Sequence, residues 1–84
     1  MIHNDIIARY DGMLRRISAY IECQPDPGTS PPHLRWMLRE LQTFSDETKA
    51  HRWLGFIQGI LIARGFTTVT VERDFTRPYL KAAA

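Results

Sequence analysis

The sequence predicts an all-α fold, a small bundle of three helices plus a short C-terminal fourth helix, with helix three central. Three features support this: a long and almost uncharged helical segment, an apolar seam in the first quarter of the chain, and a proline-rich loop after that seam. At 84 residues the chain has the length of one domain, so a single helical domain over 1–84 is expected.

The first helix is predicted over 5–22, with Asn4 as its N-cap. Asparagine is a preferred N-cap residue, and the Asp5 carboxylate suits the positive start of a helix. Apolar residues follow at alternating spacings of three and four, which is typical of a seam in a helical bundle. The seam consists of Ile7, Tyr10, Leu14, Ile17 and Ile21.

A loop is predicted over 24–32, because this segment holds four of the five prolines and proline interrupts a helix. Helix two is predicted over 31–44, with Ser30 as its N-cap and Pro31 at the tolerated first position. Its expected buried stripe is Leu34, Met37, Leu38, Leu41 and Phe44.

Helix three is predicted over 46–64, with Thr43 or Ser45 as its N-cap and Gly65 as its left-handed stop. The helix is apolar around most of its circumference, which favours a central position in the bundle. Its broad apolar face comprises Trp53, Leu54, Ile57, Ile60 and Leu61, with Phe56 and Ile62 on the sides.

Small residues recur along helix three at four-residue steps, at Gly55, Gly59 and Ala63. Residues four apart share a helix face, and an interior glycine costs about 1 kcal/mol relative to alanine. We therefore expect this face to admit a neighbouring helix at close range. On that interpretation, leucine at position 59 would force the helices apart.

The segment TTVTV over 67–71 alternates like a strand and allows two interpretations. Thr68 could cap a short helix over 69–76 that stops before Pro78, or the segment could pair with itself in a dimer. The helix is favoured because the charged residues 72–74 are uncommon in strands.

The candidate metal ligands His3, His33, His51 and Cys23 lie far apart in sequence, with no pair at helical ligand spacing. No metal or cofactor is expected, and no catalytic residue, since a substrate pocket would take much of so small a core. The single cysteine excludes an internal disulfide and favours a reducing compartment such as the cytoplasm. The longest nearly uncharged run, 53–63, is too short to span a membrane.

The leading functional hypothesis is a non-catalytic protein-interaction module that modulates another protein by occlusion. Arginine and tyrosine dominate binding hot spots, and nine of the eleven basic residues are arginine. The tryptophans at 36 and 53 are expected in or near the core. The predicted binding residues are Arg73, Asp74, Arg77, Tyr79, Arg52, Arg35 and Arg39.

Two alternatives remain open. The short turn between helices two and three is typical of a helix-turn-helix, so Lys49, Arg52, Arg35 and Arg39 could contact nucleic-acid phosphates. Helix three offers few polar side chains for reading bases, which weighs against this. The other alternative is a structural homodimer built on the seam of helix one or on paired 67–71 segments.

The pattern RWxGFxQGxL from Arg52, followed by Arg64-Gly65 and the ERDxTRP segment over 72–78, resembles a group of short uncharacterised proteins of bacteriophages and prophages. The upstream residues 30–34 and 37–38 are similar to that group as well. The resemblance covers roughly 30–78 and implies a phage accessory protein that acts inside a bacterial cell. It implies no activity and no functional residue.

Overall fold

A computed structural model describes residues 2–17 and 27–83. Within these residues the chain forms four α-helices and one short 3-10 turn, with no strand, so the predicted all-α bundle is confirmed. The helices are α1 (Asn4–Ile17), α2 (Pro31–Leu41), α3 (Glu47–Ala63) and α4 (Val69–Ala83), and the 3-10 turn is Pro27–Thr29.

Part of the predicted first helix and of the loop after it lies outside the described residues. This concerns 18–22 of the helix, including Ile21, together with Cys23 and the first part of the loop, 24–26. The last part of the predicted loop is described, and it contains the 3-10 turn and the start of α2.

Helix α1 begins one residue earlier than predicted. The Asp5 amide donates to His3 Nδ1 at 3.0 Å, and the Ile6 amide donates to the His3 carbonyl at 3.0 Å. His3 therefore caps the helix, and the prediction of Asn4 as the cap is wrong. By contrast, Ser30 caps α2 as predicted, since its Oγ accepts from the His33 amide at 3.3 Å.

Helix α2 ends at Leu41, three residues before the predicted end. The Thr43 hydroxyl donates to the Glu40 carbonyl at 2.7 Å, so a side chain satisfies one of the last carbonyls of the helix. The N-cap of α3 is Asp46, whose carboxylate accepts from the Lys49 amide at 3.1 Å. The prediction of Thr43 or Ser45 as this cap is wrong, because a charged carboxylate suits the positive helix start better.

Gly65 ends α3, as the sequence predicts. Its φ of 81° is left-handed, and its amide donates to the Ile62 carbonyl at 3.0 Å. The Phe66 amide donates to the Leu61 carbonyl at 3.0 Å. This pair of bonds is the Schellman motif, which satisfies carbonyls at the end of the helix.

Thr68 begins α4, because its Oγ accepts from the Val71 amide at 3.2 Å. The helical interpretation of 67–71 is confirmed, and the paired-strand version of the dimer is wrong. The helix runs to Ala83, so the predicted stop near Thr76 is also wrong. Pro78 and Asp74 are exposed, so water can satisfy the Asp74 carbonyl that Pro78 leaves without a helical donor.

Helices α1, α2 and α3 build the core, and α2 packs against both of the others. Helix α3 reaches the centre through Ile57 and Leu61, both completely buried. The described residues of the predicted α1 and α2 stripes are buried, except that Ile7 and Phe44 are half-buried. Helix α1 also buries Ile6 and Met13, which the predicted seam did not include. The side chains with less than 2% exposure are Tyr10, Leu14, Leu34, Leu38, Leu41, Ile57 and Leu61.

The small residues of α3 do not face a neighbouring helix. Gly55, Gly59 and Ala63 are exposed, and a β-carbon built at either glycine meets no atom within 4 Å. Phe56 on the same flank is 44% exposed. The prediction of close helix packing at this face is wrong, since α3 buries one face in the core and leaves the other in solvent.

We expect Gly59→Ala to raise the free energy of unfolding by about 0.5–1 kcal/mol, because alanine fits there and restricts the unfolded chain. Gly65→Ala is the matched control. It should lower the free energy by about 1 kcal/mol or more, since alanine disfavours the left-handed conformation. Urea unfolding measures both changes. A Gly59→Ala protein less stable than wild type would contradict the open environment of this residue.

Candidate functional site

Glu72 is the one buried charged or polar residue among the side chains that the structure describes, with 3% exposure. Arg9 donates two hydrogen bonds to its carboxylate, from Nη2 to Oε2 at 2.7 Å and from Nε to Oε1 at 3.3 Å. The hydroxyls of Tyr10 and Thr67 also donate to this carboxylate. Four donors therefore compensate for the loss of water around the charge.

The interactions around Glu72 extend into α3 and α4. Gln58 Nε2 donates to the Tyr10 hydroxyl at 2.9 Å, and the Arg9 guanidinium lies 4.6 Å from the centre of the Phe75 ring. We call the hydrogen-bonded set Arg9, Tyr10, Gln58, Thr67 and Glu72 the Glu72 network. It joins α1, α3 and α4 at one place.

A second set of contacts holds α4 against the start of α1. The Tyr79 hydroxyl donates to Asp5 Oδ2 at 3.0 Å, and the Tyr79 ring lies 4.7 Å from the His3 ring. Phe75 lies between this contact and the Glu72 network, with its ring centre 5.6 Å from that of Tyr79. Glu72, Phe75 and Tyr79 therefore form the face of α4 that packs on α1.

The ionisation of the network follows from its geometry. Burial acts to raise the pKa of Glu72, but the hydrogen bonds from Arg9, Thr67 and Tyr10 and the charge of Arg9 outweigh it, so this pKa lies below its ordinary value. Burial and the hydrogen bond to Glu72 raise the pKa of Tyr10 to about 12. A carboxylate with four donors and a lowered pKa is a weak proton acceptor. The network therefore has the properties of a structural contact that links α1, α3 and α4.

Glu72 is next to the charged residues Arg73 and Asp74 in sequence, but the structure places it in a different environment. Arg73 and Asp74 are exposed, whereas Glu72 points into the protein. The spacing of Glu72, Phe75 and Tyr79, at i, i+3 and i+7, was the available signal, since it places one charge on the apolar face of a helix.

The predicted binding residues of α4 differ in environment, since Arg73, Asp74 and Arg77 are exposed whereas Tyr79 is half-buried. Arg77 Nη2 lies 3.8 Å from Asp74 Oδ1 in an exposed ion pair, and Arg73 lines a separate groove between α3 and α4 that Gln58 also lines. Tyr79 is half-buried, and its hydroxyl is engaged by Asp5 within the chain.

The structure brings Arg35 and Arg39 together in an open groove of about 390 Å³ between α1 and α2. Asp11 in this groove accepts from Arg35 at 3.2 Å and from Arg15 at 2.8 Å. Burial acts to raise the pKa of Asp11, but these two arginines outweigh it, so the pKa is lowered. The predicted arginine surface is therefore partly neutralised, and Arg52 lies apart from it on α3.

A row of aromatic side chains crosses the junction of α2 and α3. The Trp36 ring centre lies 5.5 Å from that of His33 and 6.0 Å from that of Trp53, and Phe44 packs edge-on against Trp53 at 4.7 Å. We call His33, Trp36, Phe44 and Trp53 the aromatic strip. The Lys49 ammonium lies over it, 4.4 Å from the centre of the Phe44 ring and 5.8 Å from that of Trp53.

The two tryptophans differ in environment. Trp53 is half-buried against the core, as predicted, whereas Trp36 is 43% exposed, so its predicted place in or near the core is wrong. The reason is its position on α2, where Leu34, Met37 and Leu38 take the inward face. The short turn between α2 and α3 then brings Trp36 beside Trp53, a juxtaposition that their sequence separation does not reveal.

Comparison of the chain with protein-family models, with curated proteins and with solved structures gives no match. The resemblance to bacteriophage proteins therefore stays a prediction. Over 2–17 and 27–83, no helix is long and apolar enough to cross a membrane. The same residues contain no group of three or more histidines, cysteines or carboxylates arranged to hold a metal ion.

The Glu72 network makes stability depend on pH. Because the folded pKa of Glu72 is lower than in the unfolded chain, where it is near 4.5, its contribution is complete above that pH and is lost as the pH falls through the folded pKa. We expect Glu72→Gln to lower the free energy of unfolding at neutral pH by about 1–3 kcal/mol, since Arg9 loses its partner. The variant should also lose less stability than wild type on acidification.

Thermal unfolding followed by circular dichroism at neutral pH and in acid measures both effects. Glu47→Gln is the matched control, because Glu47 is exposed at the start of α3. Its unfolding should follow the wild-type pH dependence closely. An identical loss of stability in acid for wild type and Glu72→Gln would contradict the role assigned to this carboxylate.

Proposed function

We propose that this protein is a non-catalytic protein-interaction module that binds its partner through the aromatic strip. The observation that carries the proposal is Trp36, a large ring 43% exposed at the centre of a row of packed aromatic side chains. Tryptophan is enriched among the residues that contribute most to protein–protein binding. Its neighbours hold the ring in place, so little side-chain entropy is lost on binding.

The geometry of the strip favours a protein over a nucleic acid. Stacking of bases needs open ring faces, but Trp53 is covered by Trp36 and Phe44, and Lys49 lies over Phe44. The arginines proposed for phosphate contacts are not all available, since Arg35 is engaged by Asp11. A protein surface, by contrast, can cover a single protruding ring.

The homodimer alternative has less support. Tyr10 and Leu14 of the α1 seam are completely buried within the chain's own core, so these residues cannot contact a second copy of the chain. The resemblance supports only the context of this proposal, a phage accessory protein inside a bacterial cell. The narrower proposal is that such a protein binds another protein in the bacterial cytoplasm and blocks its contacts.

A photo-reactive aromatic amino acid at position 36, which keeps a large apolar ring there, tests the proposal when the protein is expressed in bacteria. We expect it to cross-link to a protein partner, while the same amino acid at the exposed position Val71 on α4 does not. Trp36→Ala should weaken binding of the identified partner about 30-fold or more, with a change in unfolding free energy below about 1 kcal/mol. Val71→Ala should leave binding unchanged.

Cross-links from position 36 to nucleic acid would contradict the proposal and support the second alternative. Equal protein cross-linking from positions 36 and 71 would contradict the assignment of the surface.

A further inference from the structure

Lys49 borders the aromatic strip on the α3 side, and a second cation, Arg52, lies one helical turn beyond Lys49. Lys49 and Arg52 are exposed and lie one helical turn apart, and Trp53 follows Arg52 directly in the chain. Within the part of the chain that the structure describes, neither side chain forms an ion pair. The Lys49 ammonium instead lies over the rings of Phe44 and Trp53. Positive charge is therefore held directly against apolar surface.

The nearest acidic residues along the chain do not cancel this charge in an ion pair. Asp46 caps α3, where its carboxylate faces the positive end of the helix and accepts from the Lys49 amide at 3.1 Å. Glu47 lies 3.7 Å from His51, on the next turn of α3. On α2, Glu40 is half-buried and forms no ion pair with either cation among the described residues.

From this arrangement we infer that the partner is an acidic amphipathic segment of another protein, with an apolar side chain that covers Trp36 and carboxylates that reach Lys49 and Arg52. This inference rests on the proposed function of the strip. Carboxylates suit both cations, and the arginine guanidinium binds them in a planar, two-bond geometry. Charges at the rim of an apolar contact select the partner and its orientation.

Selection from a displayed library of random dodecapeptides tests this chemistry. The bait is the full chain. The library is first passed over the Trp36→Ala protein, which removes peptides that bind to surfaces other than the aromatic strip. Both tryptophans of the chain lie in the strip, so intrinsic fluorescence reports binding of the selected peptides at this surface. We expect the selected peptides to be enriched in aspartate and glutamate beside aromatic or aliphatic residues.

Charge reversal supplies the decisive comparison. The double variant Lys49→Glu with Arg52→Glu should bind the selected peptides about tenfold more weakly and should select peptides rich in lysine and arginine. The matched control is Arg73→Glu with Arg77→Glu, which changes the same charge on the exposed side of α4 and should leave binding unchanged. If the reversed protein does not fold, Lys49→Gln with Arg52→Gln replaces it, with the same direction of effect.

The outcomes separate the two proposals. Peptides that need Trp36 but show no enrichment in acidic residues would overturn the acidic partner and leave the proposed function intact. A selection that yields no peptide dependent on Trp36 would overturn the proposed function itself. A fluorescence change with a single-stranded oligothymidylate that weakens steeply with salt would overturn both, in favour of nucleic acid.

Discussion

The arrangement of this protein depends on the compensation of one buried carboxylate. A charge removed from water is destabilising by several kcal/mol unless donors surround it. Glu72 receives such donors from α1 and from the segment that precedes α4, and no apolar residue of α4 up to position 79 belongs to the buried core. The position of α4 is therefore set by the geometry of these hydrogen bonds. Phe75 and Tyr79, whose rings contact each other, add partly buried apolar surface that packs against the core.

The small core explains why large apolar side chains remain at the surface. Helix α2 lies between α1 and α3 and directs its leucines to both, so Trp36 on its outer side is only partly covered, by Trp53 of α3. Helix α3 shows the same one-sidedness, with Leu54, Ile57 and Leu61 inside and Phe56 outside. In a chain of this length there are too few elements to cover every apolar face. One of these uncovered surfaces, the aromatic strip, is held by contacts between its rings and is bordered by Lys49.

The charged residues divide into those that hold the fold together and those that remain available. Arg9 and Arg35 are engaged by Glu72 and Asp11, and they fix α1 relative to α4 and α2. Lys49 and Arg52 make no such link among the described residues, and Lys49 borders the strip on which Trp36 is exposed. A contact with another protein therefore fits the α2–α3 side of the molecule better than the charged segment at the start of α4.

Local patterns in the sequence placed the start of each described α-helix to within about one residue, because helix formation and capping depend on residues within one turn of each other. They did not place the ends of α2 and α4. The cap at Ser30, the left-handed stop at Gly65 and the helix that starts after Thr68 follow from such short-range interactions. Only the tertiary structure decided which faces are covered. The burial of Glu72, the exposure of Trp36 and the open glycine face of α3 depend on which helix lies opposite, and residues distant in sequence determine that.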